Sequence, residues 1–589
     1  MSKEVTGKAF DVKSFNRILG YLNPYPGMAV ASILLTIVLS ALAPVNPWLT
    51  QYTIDYCITG KHPEKLLLML VLLLTFLLTR GVIQFLNSYY TNLLGQNIIK
   101  DMRMGLFKHI LDLKLQFYDQ TPIGTLVTRV ISDIETIADV FSEGLIVIIN
   151  QLLTVIVVIV IMFVIDPWMA ALSLSVFPVL LFSTYLFQKY TQKSFQEVRT
   201  QIARLNAFVQ EHITGMSVVQ IFNREQVELD RFKQINNAHK VANINSIWYY
   251  SIFFPVVDLL SAISIAAIVW WGGRGILFHK ESFGTVVEFI MYISMLFGPI
   301  RQLADRFNTL QMGVVSSQRI FKVFDTKSFI EDTGKLEPTS IEGNISFKNV
   351  WFAYNDENWV LKDVSFDVKP GQTLAIVGAT GAGKSSIINI LGRYYEFQKG
   401  SILIDRTDIR DYKINAVRKN IAIVLQDVFL FSDTIANNVA LYNEHITPAQ
   451  IQAAAKAIGA DEFIQQLPES YNYNVHERGA MLSAGQRQLV SFIRAYVQNP
   501  SILVLDEATS SIDTETERLI QTAIEKLTEH RTSIIIAHRL ATIQRADKIL
   551  VLDHGQVMEQ GTHQELLRKN GFYKKLYEIQ FEKGKKAVA

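Results

Sequence analysis

Cysteine is almost missing from this chain: Cys57 is the only one in 589 residues, so no intrachain disulfide and no cysteine-cluster metal site can form in any compartment. Charge is scarce as well. Asp, Glu, Lys and Arg supply 19% of the residues, against roughly a quarter in ordinary soluble domains. With 56 basic and 54 acidic residues the formal net charge is only +2, which excludes electrostatic binding of nucleic acid or of an anionic surface as the main business. What replaces charge is apolar surface. Hydrophobic residues make up 49% of the chain and the mean hydropathy is +0.21, which rules out a disordered chain, a collagen-like repeat and a wholly soluble enzyme. Length alone suggests about four domains of roughly 150 residues, but apolar residues this concentrated must lie in long runs.

Six such runs occupy residues 28–49, 66–85, 144–165, 168–187, 248–271 and 284–300. Each is close to the roughly 20 residues that cross a hydrocarbon core of about 30 Å. Ala41-Leu42-Ala43 has the small residues of a signal cleavage site, but Pro44 follows directly and a long polar leader precedes Met28, so the first run reads as a retained span. Lys and Arg set the orientation. They crowd the leader (Lys3, Lys8, Lys13, Arg17), the second-to-third connection (Lys100, Arg103, Lys108, Lys114, Arg129) and the fourth-to-fifth (among them Lys189, Arg199, Arg224 and Lys240). The other three connections hold few, so both termini are expected to be cytoplasmic. Residues 10–22 alternate apolar and basic before Pro24 and Pro26, which predicts a short helix along the cytoplasmic interface. The two long cytoplasmic connections run to about sixty residues each, far beyond loop length, and predict helical extensions with turns at their far ends. Turn residues stand where such ends belong: Phe117, Tyr118, Asp119, Pro122 and Gly124 in the first, Thr214-Gly215-Met216 in the second.

Past the sixth run the chain turns polar. Residues 326–343 read as a linker between a membrane domain, 1–325, and a second domain, 344–589, in which strands and helices alternate. Its most informative unit is the apolar strand Thr373-Leu374-Ala375-Ile376-Val377, then Gly378-Ala379-Thr380-Gly381-Ala382-Gly383-Lys384-Ser385, then a helical run from Ser386. This is the phosphate loop GxxxxGK[ST] in its strand-loop-helix setting. Glycines let backbone N–H groups close on phosphate oxygens, the helix N-terminus adds positive potential, Lys384 reaches the outer phosphates and Ser385 can ligate Mg2+. Further on, Ile502-Leu503-Val504-Leu505 ends in Asp506 and Glu507. Asp506 is placed to hold Mg2+ through water, and Glu507 to orient or deprotonate the attacking water. His538 follows another apolar strand, at the strand end where open α/β sheets bind ligands, and is expected to contact the γ-phosphate.

With Leu482-Ser483-Ala484-Gly485-Gln486 ahead of the Asp506 strand, the set resembles the ATPase of ABC transporters. The whole chain resembles a type IV ABC exporter half-transporter, like the lipid A and multidrug exporters of bacteria. That resemblance implies a fold of six transmembrane helices fused to an α/β P-loop nucleotide-binding domain, in the inner membrane, with ATP and Mg2+ as cofactors. It implies that Tyr354 stacks on adenine, that residues 378 to 386 (Gly378, Ala379, Thr380, Gly381, Ala382, Gly383, Lys384, Ser385 and Ser386) cradle the phosphates, and that Ser483, Gly485 and Gln486 contact ATP from the opposite chain. Gln426 resembles the glutamine that touches Mg2+, with Ser385 and Asp506 beside it, and joins Glu507 and His538 as catalytic. Glu477-Arg478-Gly479 and Ser511-Ile512-Asp513 match further family segments, and Phe117 through Gly124, with Arg129 and Asp133, resembles the first coupling helix. Ala484 departs from the family's usual glycine; variant signatures occur in heterodimers, so a homodimer and a heterodimer both stay open.

By the resemblance, two chains sandwich ATP, closure drives the spans from inward-open to outward-open, hydrolysis resets them, and substrate binds between the two bundles. Within the spans Asp258 and Glu288 are expensive in lipid and are pocket candidates. Phe253, Phe254, Phe289, Met291, Tyr292, Met295 and Phe297 dominate the fifth and sixth, which suits an amphipathic, lipid-like or drug-like substrate. An ATP-gated channel or regulatory subunit on the same scaffold is the alternative, which intact Glu507 and His538 oppose. An uptake system is disfavoured, because importers more often split these parts between chains.

Overall fold

The computed structural model describes residues 12–140, 146–278, 280–338, 340–355, 357–506, 514–537 and 539–579. They divide into two compact units, residues 1–111 with 123–326, and residues 112–122 with 327–589.

The first unit is helical. α1 (Val12–Gly20) precedes α2 (Pro26–Leu42), α3 (Val45–Tyr52) and the long α4 (Leu66–Asp112). Then come α5 (Leu115–Gln120), which belongs to the second unit, α6 (Ile123–Thr128), α7 (Ile134–Asp139), α8 (Ile146–Ile165), α9 (Pro167–Leu174), α10 (Phe177–Thr214), α11 (Met216–Ile221), α12 (Glu225–Leu277) and α13 (Phe283–Phe324). Among the described residues five helical stretches are long and apolar enough to cross a membrane, and a sixth apolar stretch, Phe283–Pro299, is shorter. The sixth span therefore depends on the continuation of α13, which runs through Pro299 without ending.

Two runs that read as single spans are broken. The first splits at Ala43 and Pro44 into α2 and α3, and the fourth splits after Leu174, where Pro178 at the start of α10 supplies no backbone donor to the preceding turn. The connections expected to extend as helices are continuous with the spans: α4 holds 47 residues, α10 38 and α12 53. At 1.5 Å per residue α12 is about 80 Å long. The short helix expected along the membrane interface starts at Val12, residues 10 and 11 lying outside the described residues, and it is tied to the end of α13. There Arg17 pairs with Asp325 at 2.8 Å and lies over the Phe321 ring at 4.1 Å.

The apolar core of this unit joins α8, α9, α10, α12 and α13 through Val158, Met162, Met169, Leu180, Val257, Ile268 and Leu296. Phe253, Phe289, Tyr292 and Phe297 belong to it too, each at most 4% exposed. These aromatics, whose abundance in the sequence suits an amphipathic substrate, pack the bundle of their own chain. α12 and α13 approach so closely at Gly272 that an added methyl would stand 2.5 Å from Val286. The two acidic residues of these spans part company. Glu288 is wholly buried, with Oε1 accepting from Tyr292 at 2.7 Å, whereas Asp258 faces outward from α12.

Across the connections between spans, Asp166 caps α9 by accepting from the N–H groups of Trp168 and Met169. Glu281 shares a hydrogen bond with it; burial first, then that bond and the charge of Asp166, push the Glu281 carboxyl up to about 7. Because the folded value lies above the unfolded one, this contribution to stability is complete below about 4.5 and is lost as pH rises through 7. The melting temperature should therefore fall between pH 5 and pH 8 by an amount that Glu281→Gln removes; a variant with the parent's pH slope would refute the assignment.

The second unit has two sheets. The strands are β1 (Ile345–Ala353), β2 (Trp359–Val368), β3 (Thr373–Gly378), β4 (Lys399–Ile404), β5 (Thr407–Asp408), β6 (Ile421–Val424), β7 (Ile502–Asp506), β8 (Thr532–Ile536), β9 (Lys548–Asp553) and β10 (Gln556–Gly561). β2-β1-β4-β5 form an antiparallel sheet, and β10-β9-β3-β8-β7-β6 a sheet that is parallel except at its β10 edge. The inner strands are buried on both faces, which explains their unbroken Val, Ile and Leu. The polar stretch after α13 lies along this unit: Ile414 donates its N–H to Asp332 at 3.1 Å, and Glu337 pairs with Lys413 at 2.5 Å.

Candidate functional site

β3 is flanked by β8 and β9, and β7 and β6 follow outward, so the carboxyl ends of five parallel strands open on one side. There β3 ends at Gly378, and residues 379 to 383 turn into α14 (Lys384–Leu391). The turn needs left-handed backbone: φ is +81° at Gly381 and +98° at Gly383, and at Gly383 a methyl would stand 2.8 Å from Leu361. No larger residue fits there without strain, which is the physical reason for glycine in the loop.

A cavity of about 400 Å3 opens on this loop, lined by Thr380, Gly381, Gly383, Lys384, Ser385 and Ser386, by Gln426 just past β6 and by Asp506 at the end of β7, with Val360 and Ile536 as apolar walls. Residues more than 120 positions apart in sequence thus meet at one site. Lys384 is 8% exposed, and its Nζ donates to the carbonyls of Gly378 at 2.9 Å and Ala379 at 3.0 Å. Burial draws its pKa down, and the charge of Asp506 opposes that shift. Its ammonium thus lies folded over the loop, held by carbonyls that an anion's oxygens can replace. Ser385 donates to Asp506 at 3.4 Å. Ala382 is buried beneath the loop.

Tyr354 lines a different cavity, of about 500 Å3, beside the first. Its hydroxyl accepts from Asn389 at 3.0 Å and lies 3.1 Å from that of Ser386, while its ring meets Tyr395 edge-on at 4.9 Å. Asn389 went unnoticed in the sequence, although it follows Ser385 by one helical turn on α14. The backbone carbonyl of Tyr354 accepts from Gln116 of α5 at 2.8 Å, and Tyr395 donates to Asp119 of the same helix.

Ser483, Gly485 and Gln486 do not line the phosphate-loop cavity. They start the helix Ala484–Val497, where Ser483 and Gln486 form a capping box: the Gln486 N–H donates to Ser483 Oγ at 3.2 Å and the Ser483 N–H to Gln486 Oε1 at 2.9 Å. Gly485 is buried, whereas Ser483 and Ala484 are exposed. Glu507, Ser511-Ile512-Asp513 and His538 lie outside the described residues.

A membrane-crossing helical unit joined to a P-loop ATPase is the architecture of an ATP-driven membrane transporter. Residues 29–300 match the family model of the ABC transporter transmembrane region, and residues 361–510 match that of the ABC transporter. An uncharacterized ABC transporter ATP-binding protein of Bacillus subtilis (strain 168), YknV, is 37% identical over 98% of this chain and 96% of its own length. The ATP-dependent lipid A-core flippase of Desulfotalea psychrophila is 34% identical over 96% of this chain and 99% of its own. The solved structure of a bacterial Atm1-family ABC exporter with ATP bound superposes with a TM-score of 0.77 at 28% identity, covering 94% of this chain and 98% of that one. The chain belongs to the ABC transporter family, as a type IV exporter half-transporter that binds and hydrolyses ATP.

Proposed function

We propose that this half-transporter exports an amphipathic molecule, lipid-like or a hydrophobic drug, from the inner leaflet of the cell membrane by alternating access, with both termini cytoplasmic and a second half-transporter completing two ATP sites. The observation that carries the reading is the chemistry of the spans. The six apolar runs hold only three charged residues, Arg80, Asp258 and Glu288, and so offer few partners to a heavily hydrated sugar or ion. The 34% identity to a lipid A-core flippase supports the same class.

At the ATP site Lys384 and the loop N–H groups bind the phosphates, and Tyr354 holds the adenine side. Ser385, Gln426 and Asp506 supply only oxygen donors around one cavity, a set that suits a hard divalent cation such as Mg2+. When bound, that cation neutralises phosphate charge. Glu507 aligns the attacking water, His538 contacts the γ-phosphate, and Ser483, Gly485 and Gln486 close on ATP from the other chain.

The test is ATPase activity of the chain in nanodiscs against a panel of lipids, amphiphilic dyes, sugars and ions. Stimulation of about tenfold at most, confined to the amphiphiles, is expected, since substrate need only shift a conformational equilibrium by about 1.4 kcal/mol. Stimulation by hydrophilic solutes alone would overturn the substrate class.

A further inference from the structure

After Ser386, α14 carries four buried aliphatic residues, Ile387, Ile388, Ile390 and Leu391, with Asn389 as the polar member among them. Asparagine is a poor helix former, because its amide competes for backbone hydrogen bonds. Here the amide serves another residue: its Nδ2 donates to the Tyr354 hydroxyl at 3.0 Å. That hydroxyl also lies 3.1 Å from Ser386 Oγ. Asn389 follows Ser386 by three residues, so the two side chains stand on one face of α14 and hold one oxygen between them.

The backbone alone does not direct this ring. Tyr354 comes just past β1, whose pairing with β2 ends at Ala353 and Trp359. Its ring meets Phe352 edge-on at 4.7 Å and Tyr395 edge-on at 4.9 Å. These contacts limit sideways movement, whereas the hydroxyl bonds set how far the ring stands from α14. The first turn of the same helix carries Lys384 and Ser385 into the phosphate-loop cavity. One short helix therefore fixes both the phosphate cradle and the ring. Asn389 itself lines neither that cavity nor the one beside Tyr354, so replacing it removes the tie and leaves both walls in place.

We propose that Asn389 is a positioning residue for nucleotide binding: through the Tyr354 hydroxyl it holds the aromatic ring at a set distance from the phosphate loop, so that the base stacks as the phosphates enter the cradle. This rests on the reading of Tyr354 as the residue on the adenine side. A side chain already in place when the nucleotide arrives has little freedom left to lose on binding. The test uses full-length chains in nanodiscs: the parent, Asn389→Ala, Tyr354→Phe, the double variant of these two, and Tyr354→Ala. Each is titrated with ADP, which carries the base and is not hydrolysed, and its ATPase activity is followed against ATP concentration. Asn389→Ala and Tyr354→Phe should each weaken ADP binding about threefold to tenfold and raise KM for ATP in proportion, with little change in kcat. The double variant should bind no more weakly than either single one, because both remove the same tie. Additive losses in the double variant overturn the proposal, as does parent affinity in Asn389→Ala while Tyr354→Ala binds weakly. Parent affinity in Tyr354→Ala overturns instead the adenine reading on which the proposal stands. Alanine suits a helix, so Asn389→Ala should fold. Should it not, Tyr354→Phe leaves α14 intact and tests the same hydroxyl, and parent affinity there overturns the tie.

Discussion

Glu507→Gln should leave ATP binding near the parent's and reduce steady-state hydrolysis about 10³-fold, which corresponds to several kcal/mol of barrier. The substitution keeps the size and hydrogen-bonding reach of the side chain but removes the carboxylate proposed to align the water. The phosphate loop, with Lys384 and Ser385 on α14 and Asp506 on β7, is untouched, so the cradle for ATP persists. A nucleotide titration beside a phosphate-release assay separates the two effects. Turnover within a few-fold of the parent would remove Glu507 from the chemistry.

Lys384→Ala should fail at the earlier step. The buried ammonium is held by the carbonyls of Gly378 and Ala379, poised to exchange them for phosphate oxygens. Losing a charged hydrogen-bond donor of this kind costs about 1.5–3 kcal/mol of binding, or roughly 10- to 150-fold in Kd for ATP. Hydrolysis falls with occupancy and should recover in part at saturating ATP. The fold should survive, because alanine suits the first turn of α14. Unchanged affinity would mean that Lys384 stays on the loop carbonyls when ATP binds.

The strand, phosphate loop and helix were legible because each needs its own residues: an apolar strand buried on both faces, glycines where φ is positive, and a helix whose first turn offers N–H groups. Long-range assembly was legible only by analogy. Nothing local says that Gln426 and Asp506 meet Ser385, yet the sheet order places them around one cavity. The breaks at Pro44 and before Pro178 were hidden in runs whose hydropathy stays high across the interruption. Burial was the least legible property. Asp258 and Glu288 look alike in sequence, but one faces outward from α12 and the other is sealed inside the bundle. Phe289, Tyr292 and Phe297 fill the core of their own chain, because aromatic residues serve packing and ligand contact equally well. Ser483 and Gln486, which the resemblance assigns to ATP contact, also form a capping box at the start of their helix, a local pattern that the sequence reading did not single out.

In the proposed function, ATP hydrolysis at this site moves an amphipathic molecule across the membrane. The most direct measurement is the movement of a fluorescent amphiphile between the leaflets of proteoliposomes with ATP supplied on the ATPase side, comparing the parent with Glu507→Gln. ATP-dependent movement is expected from the parent, directed away from the leaflet that faces the ATPase and falling to the protein-free background in Glu507→Gln. Equal movement by both proteins, or movement that does not depend on ATP, would contradict it.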